Sequence, residues 1–400
     1  MRYDFDEVID RRHAPYSYSI KWTTSPQIAK MLGVDKIGDH CIPAYLADMD
    51  FRGAQPIIDA MHAVAEHGIY GYSAHWCAEE YHAAIINWFK RRRNWVIRPE
   101  EIVYVNGTVE ALKQVILAFT EPGDGIIIQR PVYGPFTGVT HATGRRLINN
   151  QMIEGEGGYY TMDLTDLEEK ARDPRAKLLL LCSPQNPVGR IWTDQELLEV
   201  SRICRENGVL IAADEIHGDL IRRGAEFHPL AAVADPSNLI ICTAVNKTFN
   251  LAGLHCTNLV IPDPALRERF LASFGSVGPS PFTIAAVIAA YNEGEEWLEQ
   301  LLDYLDGNID WALAFLAQRM PQVKCRRPDA TYIMWLDFRA YGLSPEEIHD
   351  RIYNRAGVLL EGGHFFDPDR GGGFERICVP SPRSILKEAF ERIAAQFPER

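Results

Sequence analysis

The chain has 400 residues, with a hydrophobic content of 46% and a charged content of 24%, the make-up of a folded enzyme and not of a disordered tail. Its net charge of −13 excludes a broad basic footprint, so neither nucleic acid nor an anionic membrane surface is an expected partner. The eight cysteines are scattered, with no CxxC pair and no His/Cys cluster, which argues for free thiols in a reducing cytoplasm and against a disulfide frame or a metal site.

The first residues, Met1-Arg2-Tyr3-Asp4-Phe5-Asp6, are polar and charged, unlike a signal peptide, and no apolar run reaches membrane-spanning length. A cytoplasmic protein is expected. Residues 1–45 mix aromatics and prolines with polar residues and are predicted to be an irregular arm that packs on the smaller domain. Helical spacing over 57–67 stops at Gly68, a glycine-broken aromatic loop covers 69–73, and a second helix runs over 78–93. That helix ends in Lys90-Arg91-Arg92-Arg93, expected on its solvated face.

An alternation then sets the fold class: strand over 102–105, helix over 108–119, strand over 125–128, and later strands over 178–182, 209–213 and 239–242. One intervening helix is opened by Thr193 with Glu196 as a capping box and closed by Asn207-Gly208. Apolar strands separated by helices predict an α/β fold, a mainly parallel sheet covered on both faces, with ligands beyond the strands' carboxyl ends. From residue 285 the pattern changes to long helices through Trp297, Leu301 and Leu305, with short strands over 331–338 and 374–379. The predicted division is therefore the arm over 1–45, a large domain over 46–284 and a small α+β domain over 285–400. Ser344-Pro345-Glu346-Glu347 reads as another capping box, and Gly371-Gly372-Gly373 as a flexible loop.

Four features fall at predicted strand ends. Asn106-Gly107-Thr108-Val109 leads into a helix whose amides and dipole suit a phosphate, although a glycine turn into a helix is also commonplace. Ser183-Pro184-Gln185-Asn186-Pro187 forms a stiff loop presenting an amide, or a plain turn. Asp214-Glu215-Ile216-His217 follows a buried strand, and a carboxylate there needs a cation or a protonated ring nitrogen opposite it. Lys247 stands among small and hydroxyl residues after the fourth such strand, where partial desolvation would keep its amine neutral and nucleophilic.

Together with Ala47-Asp48-Met49-Asp50-Phe51, Tyr70-Gly71-Tyr72, Pro131-Val132-Tyr133-Gly134, Lys247-Thr248-Phe249-Asn250-Leu251-Ala252-Gly253 and Pro382-Arg383-Ser384, this ordered set resembles the fold type I pyridoxal phosphate (PLP) enzymes of the aminotransferase class I/II superfamily. In detail it is similar to the MalY/PatB-type cystathionine β-lyases, or carbon-sulfur lyases. The resemblance implies pyridoxal 5'-phosphate as cofactor, a small amino-acid substrate, α,β-elimination to a thiol, pyruvate and ammonia, and a homodimer with shared sites. The alternative within the same fold is an aminotransferase.

Residue by residue, the resemblance implies Lys247 as the Schiff-base lysine, Asp214 at the ring nitrogen, and Asn186 with His217 near the ring hydroxyl. It implies Tyr133 stacked on the ring, Gly107, Thr108 and Val109 around the phosphate, and Tyr72 reaching the neighbouring subunit's phosphate. Arg383 would clamp the substrate α-carboxylate beside Asn186; by spacing alone it equally suits a helix N-terminus in a surface ion pair. Asn246 replaces a usual serine, with Thr243 as a compensating phosphate contact. Cys378 stands where asparagine is frequent, and His255 where aminotransferases carry an arginine.

Overall fold

A computed structural model describes residues 1–398. Its centre is a seven-stranded sheet in the spatial order Ile102–Val105, Thr257–Val260, Leu239–Thr243, Leu210–Asp214, Ala176–Cys182, Gly125–Ile128 and Arg146–Asn149. Thr257–Val260 runs antiparallel to both neighbours and the other pairings are parallel. Successive strand residues point to opposite faces, and here both faces are buried. Leu178 and Leu180 enter one hydrophobic core, shared with Val115 and Phe119 of the Thr108–Phe119 helix, while Leu179 and Leu181 enter a second core with Trp88 and Phe89. This is why the strands read as unbroken apolar runs. The expected mainly parallel sheet with helices on both faces is the one found.

Local signals act as read. Thr193 accepts from the Glu196 N–H, and the Glu196 carboxylate returns to the Thr193 N–H at 2.8 Å, closing a reciprocal capping box ahead of Asp194–Glu206. Gly68 takes φ 74, the left-handed stop that a glycine adopts without strain. Ser344 caps Pro345–His349, but Glu347 does not return the contact and turns to Arg351 instead.

Three expectations are corrected. Arg93 is not on a solvated face: it lies four residues after Phe89, on the helix's buried side, and pairs with Asp219 at 3.1 Å and Glu215 at 3.9 Å. Only Arg91 and Arg92 reach surface carboxylates, those of Glu295 and Glu299. Gly371 is no loose hinge either, because a Cβ there would stand 2.1 Å from the Gly363 carbonyl oxygen. Residues 1–45 are less irregular than predicted, with a short helix at Pro26–Met31 and a strand, Ile42–Pro43, parallel to Val358–Leu359.

The smaller sheet, Ile333–Asp337, Phe374–Cys378 and Glu361–Gly362, is antiparallel, and the Glu295–Arg319 helix runs through this half of the chain. Phe5 packs edge-on against Phe51 at 5.1 Å and Trp297 at 5.8 Å, which ties the first residues to both halves. Among the described residues no helix is long and apolar enough to cross a membrane.

Candidate active site

Asp214 ends its strand in register with Cys182 on one side and Cys242 on the other, so the sheet points its carboxylate into a sulfur-lined, buried slot. Among the described residues it accepts one hydrogen bond, from the Ile216 N–H 3.4 Å away. Burial pushes its pKa up to about 7, opposed in part by that N–H and by Lys247. Lys247 sits on the one-turn helix Val245–Thr248, just past the Leu239–Thr243 strand. Its Nζ donates to the Ala47 carbonyl at 2.7 Å, and the Tyr332 hydroxyl donates to the same oxygen at 3.0 Å. Burial lowers the Lys247 pKa from the usual lysine value, which favours the neutral amine.

The Ala47–Phe51 stretch that carries this acceptor is fixed from several directions. Asp50 is buried and accepts from Lys21 Nζ at 2.7 Å, Trp22 Nε1 at 2.7 Å, Arg11 Nη1 at 2.7 Å and Ser381 Oγ at 2.6 Å. Arg11 also forks onto both oxygens of Asp48.

A buried arginine faces the same region. Arg376, on the Phe374–Cys378 strand, donates Nη1 to Asn186 Oδ1 at 3.2 Å and Nη2 to the Tyr45 carbonyl at 2.6 Å. Nη2 also forms an ion pair with Glu361. Its charge reaches Lys247, His217 and Tyr133, each of whose pKa it helps to lower. The Tyr133 hydroxyl is nevertheless pushed up to about 12, by burial first and the Asp214 charge second.

At the far end, Gly107 has φ 98 and opens the Thr108–Phe119 helix, whose first-turn N–H groups have no intrahelical acceptors. The His255 ring lies beside this turn, 3.8 Å from where a Cβ on Gly107 would be. Thr108 Oγ1 is 2.8 Å from Thr257 Oγ1, and Val109 is exposed.

The residues present fit pyridoxal phosphate. Among the described residues, the buried atoms His217 Nδ1, Ser183 Oγ and Asn246 Oδ1 have no hydrogen-bond partner, and Asp214 is a desolvated carboxylate without a close cation. A flat ring with a basic nitrogen, a hydroxyl and a phosphate complements that set.

The model of the family "Aminotransferase class I and II" matches residues 47–393. The chain belongs to this family. It is 38% identical over 382 residues to cystathionine beta-lyase PatB of Bacillus subtilis, covering 94% of this chain and 96% of that protein. It superposes on cystalysin from Treponema denticola, a structure described as containing a pyridoxal 5'-phosphate cofactor, with TM-score 0.92, 32% identity and 99% coverage of each chain. It also superposes on the PLP-bound C-S lyase from Staphylococcus hominis with TM-score 0.89, 29% identity and 98% coverage of each chain.

Family membership leaves the individual residues to be placed by geometry. Lys247, Asp214, Asn186, His217 and Tyr133 come together around the strand ends, with Gly107, Thr108 and Val109 at one end. Arg383 does not join them. It starts the Arg383–Ala394 helix, donates Nε to Asn308 Oδ1 at 2.6 Å and lies over the Trp311 ring at 5.8 Å. The arginine beside Asn186 and Lys247 is Arg376, a buried cation next to Glu375 on the Phe374–Cys378 strand, a charged pair that the motif pattern does not single out. Thr243 is enclosed in the sheet and donates its hydroxyl to the Asn258 carbonyl at 2.9 Å, while Asn246 Oδ1 has no hydrogen-bond partner among the described residues. Tyr72 is fully exposed, in a segment where Ile69, Tyr70 and Trp76 are exposed as well.

Proposed function

We infer that this chain is a PLP-dependent carbon-sulfur β-lyase, acting on cystathionine or a related cysteine S-conjugate. The single observation that carries the reading is the placement of Lys247 and Asp214 on adjacent strand ends with Arg376 and Asn186 facing them. Bound pyridoxal phosphate supplies an aldehyde that condenses with amines and a ring that accepts electron density from the substrate Cα.

The chain's own residues do the rest. Arg376, with Asn186 at its side, holds the substrate α-carboxylate and thereby fixes which Cα bond faces Lys247. Lys247, whose amine burial biases towards the neutral form, takes the Cα proton on Nζ. Asp214, whose pKa burial raises to about 7, would be held in its charged form by a cation and would keep a ring nitrogen placed opposite it protonated. Tyr133 would pack against the ring face, and His217 and Asn186 would orient the ring hydroxyl. The thiol leaves from Cβ with the proton that Lys247 returns, and the remaining carbon fragment hydrolyses to pyruvate and ammonia. Gly107, Thr108 and Val109 would take the phosphate on backbone N–H groups, with His255 beside them.

The exposed Tyr72 segment supports a homodimer in which Tyr72 reaches the partner's phosphate, and the free thiols support a cytoplasmic location. In this reading residues 1–45 form the arm, 46–284 the cofactor domain and 285–400 the small domain. Incubation with cystathionine and no keto-acid acceptor is the test: steady release of thiol and pyruvate is expected. Amino-group exchange without pyruvate would make the chain an aminotransferase instead.

A further inference from the structure

Arg376 is already neutralised before any substrate arrives. Glu361 stands directly opposite it across the antiparallel pair of Glu361–Gly362 with Phe374–Cys378, and its carboxylate lies against Nη2. A carboxylate binds a guanidinium through two nitrogens at once, on the Nε–Nη2 edge or the Nη1–Nη2 edge, and both edges include Nη2. Here Nη2 carries the Tyr45 carbonyl as well as Glu361, while Nε is buried without a partner among the described residues. One prong of the Nε–Nη2 edge is therefore free, and the other is obstructed.

Of the two groups on Nη2, the Tyr45 carbonyl belongs to the backbone and cannot withdraw. Glu361 is a side chain, 23% exposed against 3% for Arg376, with a route to water. Its charge raises the pKa of the Tyr133 and Tyr45 hydroxyls, so it is felt inside the site and not only at its rim. We propose that Glu361 is a resident stand-in for the substrate α-carboxylate: it occupies Arg376 in the resting enzyme and must be displaced for an amino acid to bind. Glu361 is thus an affinity-setting residue. It holds the guanidinium in place and keeps it from capturing small adventitious anions, at the cost of weaker substrate binding.

This inference rests on reading Arg376 as the carboxylate site, and the experiment separates the two. On the holoenzyme, Glu361→Gln keeps the side chain's shape and removes the competing charge. KM for cystathionine is expected to fall about tenfold, the equivalent of one charged hydrogen bond no longer displaced, with kcat changed less than about twofold. Inhibition by acetate, used as a bare carboxylate probe, is expected to strengthen by a similar factor. Glu361→Asp, which keeps the charge on a shorter stem, carries the same comparison should the glutamine variant fail to fold, with an intermediate KM expected. An unchanged or raised KM and unchanged acetate inhibition in Glu361→Gln, while Arg376→Lys raises both constants, overturns the stand-in role and leaves Arg376 as the carboxylate site. If Arg376→Lys moves neither constant, the reading of Arg376 itself fails, and the inference falls with it.

Discussion

Asn250 grips the peptide of Met49 from both sides: its Oδ1 accepts the Met49 N–H at 3.0 Å and its Nδ2 donates to the Met49 carbonyl at 2.9 Å. The two residues are about two hundred positions apart, and the contact fixes the stretch whose Ala47 carbonyl receives Lys247. Asn250→Ala removes both bonds at a part-buried place, which at ~1 kcal/mol each predicts a loss of about 2 kcal/mol in stability. Urea unfolding of wild type and variant measures it. An unchanged midpoint would mean that other contacts hold Met49.

Arg376 and Arg383 give opposite expectations. Arg376→Lys sacrifices two-pronged recognition of a carboxylate and is expected to lower kcat/KM for cystathionine by about a hundredfold, the scale of a charged, bidentate hydrogen bond. Arg383→Gln gives up only the Asn308 contact and the Trp311 stacking, so kcat/KM is expected to stay within about twofold while the melting temperature drops. Steady-state kinetics on the two variants decides which arginine meets substrate.

Arg93 and Asp219 form a buried ion pair that also accepts from Trp88 Nε1 at 3.2 Å and Thr248 Oγ1 at 3.0 Å, the residue next to Lys247. Asp219→Asn leaves the buried Arg93 guanidinium with only the more distant Glu215 carboxylate opposite it, an expected loss of ~3 kcal/mol. The double variant Arg93→Met with Asp219→Leu is expected to be less damaged than the single one. Denaturant titration of the three proteins tests that ordering.

The buried carboxyls' contribution to the stability of the cofactor-free protein is expected to fall as pH rises. Burial raises Asp214 from 3.8 to about 7, and raises Glu215 and Glu375 from 4.5 to about 8. For a group raised on folding, the stabilising contribution is complete below the unfolded value and is lost as pH climbs through the folded one. Asp214→Asn removes one of these contributions, so its stability should decline less between pH 3.8 and about 7 than that of wild type. Unfolding midpoints of both proteins across this range, without cofactor, give the comparison; parallel curves would show Asp214 to be compensated by a cation in the free protein.

Much of the architecture was legible because both faces of the sheet are dry. The Ala176–Cys182 strand is buried at every position from Leu178 on, so composition marks that part of it, while the exposed Lys177 conceals its first residues. Thr257–Val260 and Arg146–Asn149 escaped because Thr257, Asn258, Arg146 and Asn149 satisfy their polar groups in the fold, which a composition pattern does not register. The site followed a similar rule. Lys247, Asp214 and Asn186 stand at strand ends and were readable, whereas Arg376 and Arg93 are cations held inside by partners far away in the chain. Arg93 was concealed in a basic run, and only its i+4 spacing from Phe89 gives away its buried side.

The four-way grip on Asp50 has a consequence for how the protein comes to be active. Its donors come from residues 11, 21, 22 and 381, so the support under the Ala47 carbonyl is assembled from the first and last parts of the chain. Arg11, Lys21 and Trp22 lie near Asp50 in the chain, whereas the Ser381 contact closes almost the whole sequence, and a contact of that separation carries the larger loop-closure cost. A chain still emerging without its last twenty residues would keep the Arg11, Lys21 and Trp22 contacts to Asp50 and lack the Ser381 one, so cofactor capture by Lys247 is expected to reach full strength only once the C-terminal segment has docked.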